Sequence, residues 1–228
     1  MKLKKIASLM LAGVMAVSML AGCSGNGTDD KNDGNTEVKP TTSNAVSVMN
    51  DAQSAVKFEA NSDFDAALAA AAKKAEHAKV ALAGFNAVKV ENDPVYDELE
   101  KKLDVDAGLI KKDNDIFFNT NSDGATKGGT SATLTGLWKV EADGLTEKAA
   151  LEQIAEDMKG KIQGNEKYPE TVTLKVNNVD KTYAASYTGN VSIVTVNTSD
   201  KGETATAYYI AVSVTQTLAR DAQTNVKA

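Results

Sequence analysis

Between residues 171 and 214, four runs suited to a pleated surface follow one another: TVTLKV, KTYAASY, VSIVTV and TATAYYIAVSV. Their Val, Ile, Thr and Tyr content and their alternation are those of strands. The separators NNVD, TGN and NTSDKGE carry Asn, Asp and Gly, which is turn chemistry. Connections this short cannot make the crossover that parallel neighbours need, so the runs read as an antiparallel meander. One face of a meander must be buried. The segment 145–162 supplies the cover: Thr146 caps it, Leu151, Ile154, Ala155, Met158 and Ile162 form its apolar stripe, and Gly164 lies beyond its end. The C-terminal half therefore reads as a helix on one face of a four-stranded sheet, an α+β arrangement.

The preceding half mixes helix and strand signals. A short helix can open the segment 45–59. In the stretch 62–84, Asn61 or Ser62 can cap, Asp63 and Asp65 suit the positive helix end, and Phe64, Leu68, Ala71, Ala75, Ala78 and Leu82 recur at helical steps before Gly84. Residues 86–91 read as a strand. Asp93-Pro94 starts a further helix that buries Tyr96, Leu99 and Leu103 and ends before Gly108. IFFNTNSDGATKGGTSATLTGLWKV, from residue 116, reads as a hairpin with a long loop, with Leu134, Trp138 and Val140 on one face.

The two halves share ordered matches: AAL at 66 and 149, VKVEN at 88 with LKVNN at 174, NTNSDG at 119 with NTSDKG at 197, and SATLTGLWKV at 131 with TATAYYIAVSV at 204. These matches suggest tandem α+β units, 45–142 and 143–228, each built from a helix, a strand and a hairpin.

The N-terminus has a different character. Lys2, Lys4 and Lys5 precede an apolar run from Ile6 to Leu20, and Leu20-Ala21-Gly22-Cys23 follows. The run is short for a permanent helical span of a roughly 30 Å hydrocarbon core, and residues 1–22 read as an export signal. Leu20-Ala21-Gly22-Cys23 resembles the lipobox of bacterial lipoproteins. The resemblance implies that Cys23 becomes the mature N-terminus with a diacylglyceryl thioether on its sulfur. Dual acylation gives durable membrane attachment where a single chain gives only marginal binding. Residues 23–44, rich in Gly, Asn, Asp and Thr, read as a tether with a reach of about 25 Å.

Cys23 is the sole cysteine, so its acylation leaves the mature chain without thiolate chemistry, disulfides or cysteine metal sites. The whole chain carries a formal charge of −6, and loss of the signal's three lysines makes it more acidic. An acidic surface with one arginine, Arg220, disfavours nucleic acid as a partner. His77 is the sole histidine and sits in KKAEHAK, where a solvated surface residue is expected. A zinc site or a Ser/His/Asp triad lacks its parts.

Asn119, Asn121, Asp123 and Gly124 copy the front of a calcium loop, but Thr130 stands where its closing glutamate belongs. GATKGGT at 124–130 is a weak match to a phosphate-binding loop. The carboxylate pairs Asp104/Asp106, Asp113/Asp115 and Glu156/Asp157 lie in stretches that also read as exposed. Tyr183, Tyr187, Tyr208 and Tyr209 lie in neighbouring strands, and a sheet face left uncovered would present such tyrosines with threonines to a ligand.

These features lead to the expectation of a membrane-anchored extracytoplasmic lipoprotein, suited to a Gram-positive surface. It is expected to act without cofactor or metal as a ligand-binding or interaction module for an envelope or extracellular partner. The alternative is a small carboxylate-dependent envelope hydrolase.

Overall fold

The structure is a computed structural model that describes residues 42–75, 93–103, 115–119, 124–142, 144–200 and 203–220, all within one compact unit, Glu37–Ala228. Four helices, α1 (Thr42–Ala52), α2 (Ser62–Ala72), α3 (Pro94–Lys102) and α4 (Glu147–Met158), accompany the strands among these residues. The main sheet contains β1 (Lys57–Phe58), β2 (Ser131–Glu141), β5 (Thr171–Val176), β6 (Val179–Asp200) and β7 (Glu203–Leu218). A small ribbon pairs β3 (Lys161–Ile162) with β4 (Asn165–Glu166). The α+β class is as the sequence implies.

The sheet runs β1-β6-β7-β2, with β5 on the β1 side of β6. Ala219 N donates to Ala184 O at 2.9 Å on one edge of β6, whereas Ala185 N, from the same peptide unit and so directed oppositely, donates to Glu170 O at 2.8 Å. All pairings are antiparallel except β1 with β6. The β5–β6 turn places Asn177 and Asn178 at φ 52° and 62°, the left-handed pair that two-residue hairpins require.

The meander departs from the sequence reading at Thr188-Gly189-Asn190. KTYAASY and VSIVTV are parts of one strand, β6, of 22 residues. TGN is not a turn: β1 docks in parallel there, and Glu59 N donates to Gly189 O at 2.9 Å. A Cβ on Gly189 would lie 2.6 Å from the Phe58 ring, so the glycine serves a close approach rather than a reversal. The outer side of β1 is satisfied by a side chain. Asn50 accepts from Phe58 N at 2.8 Å and donates to Phe58 O at 3.0 Å, as a neighbouring strand would.

Helices cover both sheet faces, not one. Ala45 and Met49 of α1 pack with Leu151, Ile154 and Met158 of α4 over Trp138, Ile193, Ile210 and Val212. On the opposite face, Phe64, Leu68 and Ala71 of α2 and Val95 and Leu99 of α3 cover Leu137, Val194, Val196 and Ala211. Burying each large aliphatic side chain contributes about 1.5–3 kcal/mol. The result is a three-layer packing.

Local chemistry sets the helix starts. The Asn61 side chain accepts from the backbone of Asp63 and Phe64, Asp93 accepts from Val95 N with Pro94 in the first turn, and Thr146 accepts from Ala149 N. α4 stops at Met158, four residues short of the expected end, because Gly160 at φ 83° turns the chain into the ribbon holding Ile162. α1 begins at Thr42, so the last three residues assigned to the tether belong to a helix.

IFF makes no hairpin with β2. Ile116 and Phe118 are buried without strand pairing, and Phe118 N donates to Lys167 O at 2.8 Å. The full length of β2 pairs instead with β7, so the boundary at 142/143 separates no units, and two of the segments matched as repeats are adjacent strands of one sheet. The expected signal 1–22, Cys23, residues 24–41 of the expected tether, Gly84, residues 86–91 and Gly108 lie outside the described residues.

Candidate functional site

The site follows from the start of α4. Gly144, at φ 72°, turns the chain from β2 toward the helix, Leu145 N donates to Ala142 O at 3.1 Å, and Thr146 caps. Tyr208 of β7 donates through its hydroxyl to Leu145 O at 2.8 Å, fixing the helix entry above the sheet. Thr195 of β6 donates to Glu147 Oε1 at 2.9 Å. Between this entry, the first turns of α1 and the sheet lies a groove of about 470 Å³. Its apolar lining comes from Ala45, Val48, Leu145, Leu151 and Ile193, and its polar lining from Asn44, Thr146, Glu147, Lys148, Thr195 and Tyr208. Six of these eleven residues are polar, a larger polar share than most small-molecule sites have.

Burial, aided by the negative charge of Glu147, raises the Tyr208 phenol above its ordinary range, so it stays protonated as a donor. The Lys148 ammonium bonds Glu152 one turn along α4.

The four tyrosines are not gathered on a ligand-facing surface. Tyr208 lines the groove, but the other three are buried, Tyr183 and Tyr187 on the packed face of β6 and Tyr209 on the opposite face of β7 under α2 and α3. Tyr183 packs with Val172, Leu218 and Ala125. Tyr187 donates to Pro169 O at 2.8 Å, accepts from Gln216 Nε2 at 3.0 Å, and meets Phe118 and Tyr168 ring to ring at 5.7 and 5.3 Å.

Tyr209 is fully buried on the α2–α3 side and donates to Asp93 Oδ2 at 3.2 Å, with Lys139 Nζ 3.9 Å from the same oxygen. Burial lowers the Lys139 ammonium, partly offset by Asp93, and burial beside Asp93 raises the Tyr209 phenol. This buried trio, which sequence reasoning missed, ties the α3 cap to β2 and β7.

The sheet does expose part of one face, lined by hydroxyls and not tyrosines. Exposed Ser131, Thr217 and Ser186 align across β2, β7 and β6, and the next row runs from half-buried Thr133 through buried Thr215 to exposed Thr188. Thr133 and Thr215 share a 2.8 Å hydroxyl contact, and Thr173 and Thr182 one of 2.9 Å on the β5 side.

The loop 124–130 is a packing device, not a phosphate cradle. Gly129 N donates to Leu218 O at 3.0 Å, and a Cβ on Gly128 would lie 2.4 Å from the Tyr183 ring. Glu156 pairs with Lys159 on the exposed side of α4, and exposed Asp157 pairs with buried Lys167. His77, Asp104, Asp106, Asp113, Asn121 and Asp123 lie outside the described residues. Among the described residues, no cluster of metal-ligating side chains is present, and no helix is long and apolar enough to cross a membrane.

Glu147 and Thr195 were not singled out by sequence reasoning. Thr146-Glu147 was legible as a helix start, but its meeting with Thr195, 48 residues away, was not. Comparison of the chain with known protein families, with curated proteins and with solved structures returns no match.

Proposed function

We propose that this chain is a lipid-anchored extracytoplasmic lipoprotein, held by acylated Cys23 at a Gram-positive type surface, whose folded unit binds a small ligand without catalysis. The groove between α1, α4 and the sheet carries the binding half of this reading. Three of its polar groups are held by hydrogen bonds, Glu147 by Thr195, Tyr208 by Leu145 O and Thr146 by Ala149 N, which is the preorganisation that binding favours. The sequence of the first 23 residues carries the anchor half.

The alternative hydrolase needs two carboxylates facing each other across a cleft. The groove lining contains a single carboxylate, Glu147, which favours binding over that chemistry.

Two measurements test the proposal. Cys23→Ala should move the protein from the membrane to the soluble fraction and end its labelling by fatty acid; unchanged membrane attachment and labelling would overturn the anchor. A thermal-shift screen of the full chain against glycans, peptides and small charged organics should find a stabilising ligand, because a compound that binds only the folded state raises its stability. Val48→Trp, which places a large ring at a part-exposed position of the lining, should abolish that shift. A shift retained in a folded Val48→Trp protein would place the binding site elsewhere.

A further inference from the structure

From the charge arrangement of the groove we propose that its ligand is an organic cation, an alkylammonium group carried on a short apolar chain. This inference rests on the groove being a ligand site. Thr195 donates to the Glu147 carboxylate at 2.9 Å, which places its charge at the groove wall. The Lys148 ammonium, the basic group of the lining, is engaged with Glu152 one turn further along α4. Tyr208 adds an aromatic wall to the same groove, and a cation near a tyrosine ring gains from its negative face.

The positive end of α4 does not reverse this preference. Glu147 stands in the first helical turn and already answers that partial charge. Beside these groups, the part-exposed side chains of Val48 and Leu145 present apolar surface to the ligand's chain, over the buried Leu151 and Ile193. A groove of about 470 Å³ falls in the range of small-molecule sites. The chain's formal charge of −6 also attracts cations over anions.

The test titrates the full chain with three probes of similar size, n-butylammonium, n-pentanoate and 1-pentanol, followed by two-dimensional NMR of the Val48 and Leu145 methyl groups. The expected result is affinity for n-butylammonium about tenfold or more above that for the other two, as one charge-assisted hydrogen bond allows. That preference should shrink as salt is raised. Glu147→Gln, which keeps the shape and the acceptor for Thr195, should bring n-butylammonium down to the level of 1-pentanol. Thr195→Val, which leaves the carboxylate but frees it, should reduce the preference severalfold.

Equal binding of all three probes, or a preference unchanged in both variants, overturns the cation inference while leaving the groove a ligand site. No saturable shift with any probe overturns the reading of the groove itself.

Discussion

Phe58 lies across Gly189 so closely that a Cβ at position 189 would come within 2.6 Å of its ring. This contact lets a two-residue strand dock in the middle of the 22-residue strand β6. Gly189→Ala should therefore destabilise the protein by about 1–3 kcal/mol, the usual cost of overpacking, read from the urea midpoint. Phe58→Leu in the same chain should recover part of that loss, since contacting residues couple. Additive losses would show that the two positions are independent.

Asp93 joins three elements by capping α3, accepting from Tyr209 and facing Lys139. Asp93→Ala leaves a buried ammonium without its carboxylate and should cost about 3–5 kcal/mol. Lys139→Met should cost clearly less, because Asp93 keeps its bonds to Val95 N and to the Tyr209 hydroxyl. Equal losses in denaturant titrations would mean that the ion pair itself dominates.

Alkali should unfold the protein through its buried phenols. Tyr96, Tyr168, Tyr187, Tyr208 and Tyr209 are all raised above 10.0, with burial the largest cause in each. A phenol raised in the fold stays protonated where the unfolded chain has lost its proton, so its contribution is full below about pH 10 and is lost above it. Lys139, lowered by burial, acts with the opposite sign, favouring the fold as pH rises toward the ordinary lysine range. The tyrosines outnumber it. Stability should fall past pH 10, and Tyr209→Phe should soften that fall while costing about 1 kcal/mol at neutral pH. An unchanged alkaline slope in Tyr209→Phe would remove Tyr209 as a cause.

Residues 143–228 expressed alone should show no cooperative unfolding transition. The fragment lacks β2, which pairs with β7 along its whole length, and lacks α1, α2 and α3, whose side chains complete both cores. A sharp calorimetric transition for the fragment would restore the case for an autonomous second half.

Local signals were readable where the physics is local. Asn61, the Asp93-Pro94 pair and Thr146 mark helix starts because each side chain bonds an amide two or three residues ahead. The Asn177-Asn178 turn was readable because asparagine tolerates the positive φ that both positions adopt. Thr188-Gly189-Asn190 was misread because the reason for its glycine is Phe58, remote in sequence. Ile116 to Phe118 has the composition of a strand, yet its apolar side chains are used as core packing against Tyr168 and Tyr187. The uncovered sheet face was anticipated with tyrosines on it. Alternation placed Tyr183 and Tyr187 together and Tyr208 and Tyr209 apart, but could not say which side the helices would occupy.

The sequence by itself determined the α+β class, the antiparallel pairing of the last three long strands and the caps that start the helices. It also carries the lipobox-like tetrapeptide ending at Cys23. These depend on side-chain chemistry and spacing within a few residues. Only the tertiary structure decided that helices pack on both faces of the sheet, that β6 runs unbroken through Gly189, and that Glu147 meets Thr195 and Tyr208 around one groove. Each of these depends on which distant surfaces pack together, and packing is set by the summed burial of many side chains, which no short stretch of sequence contains.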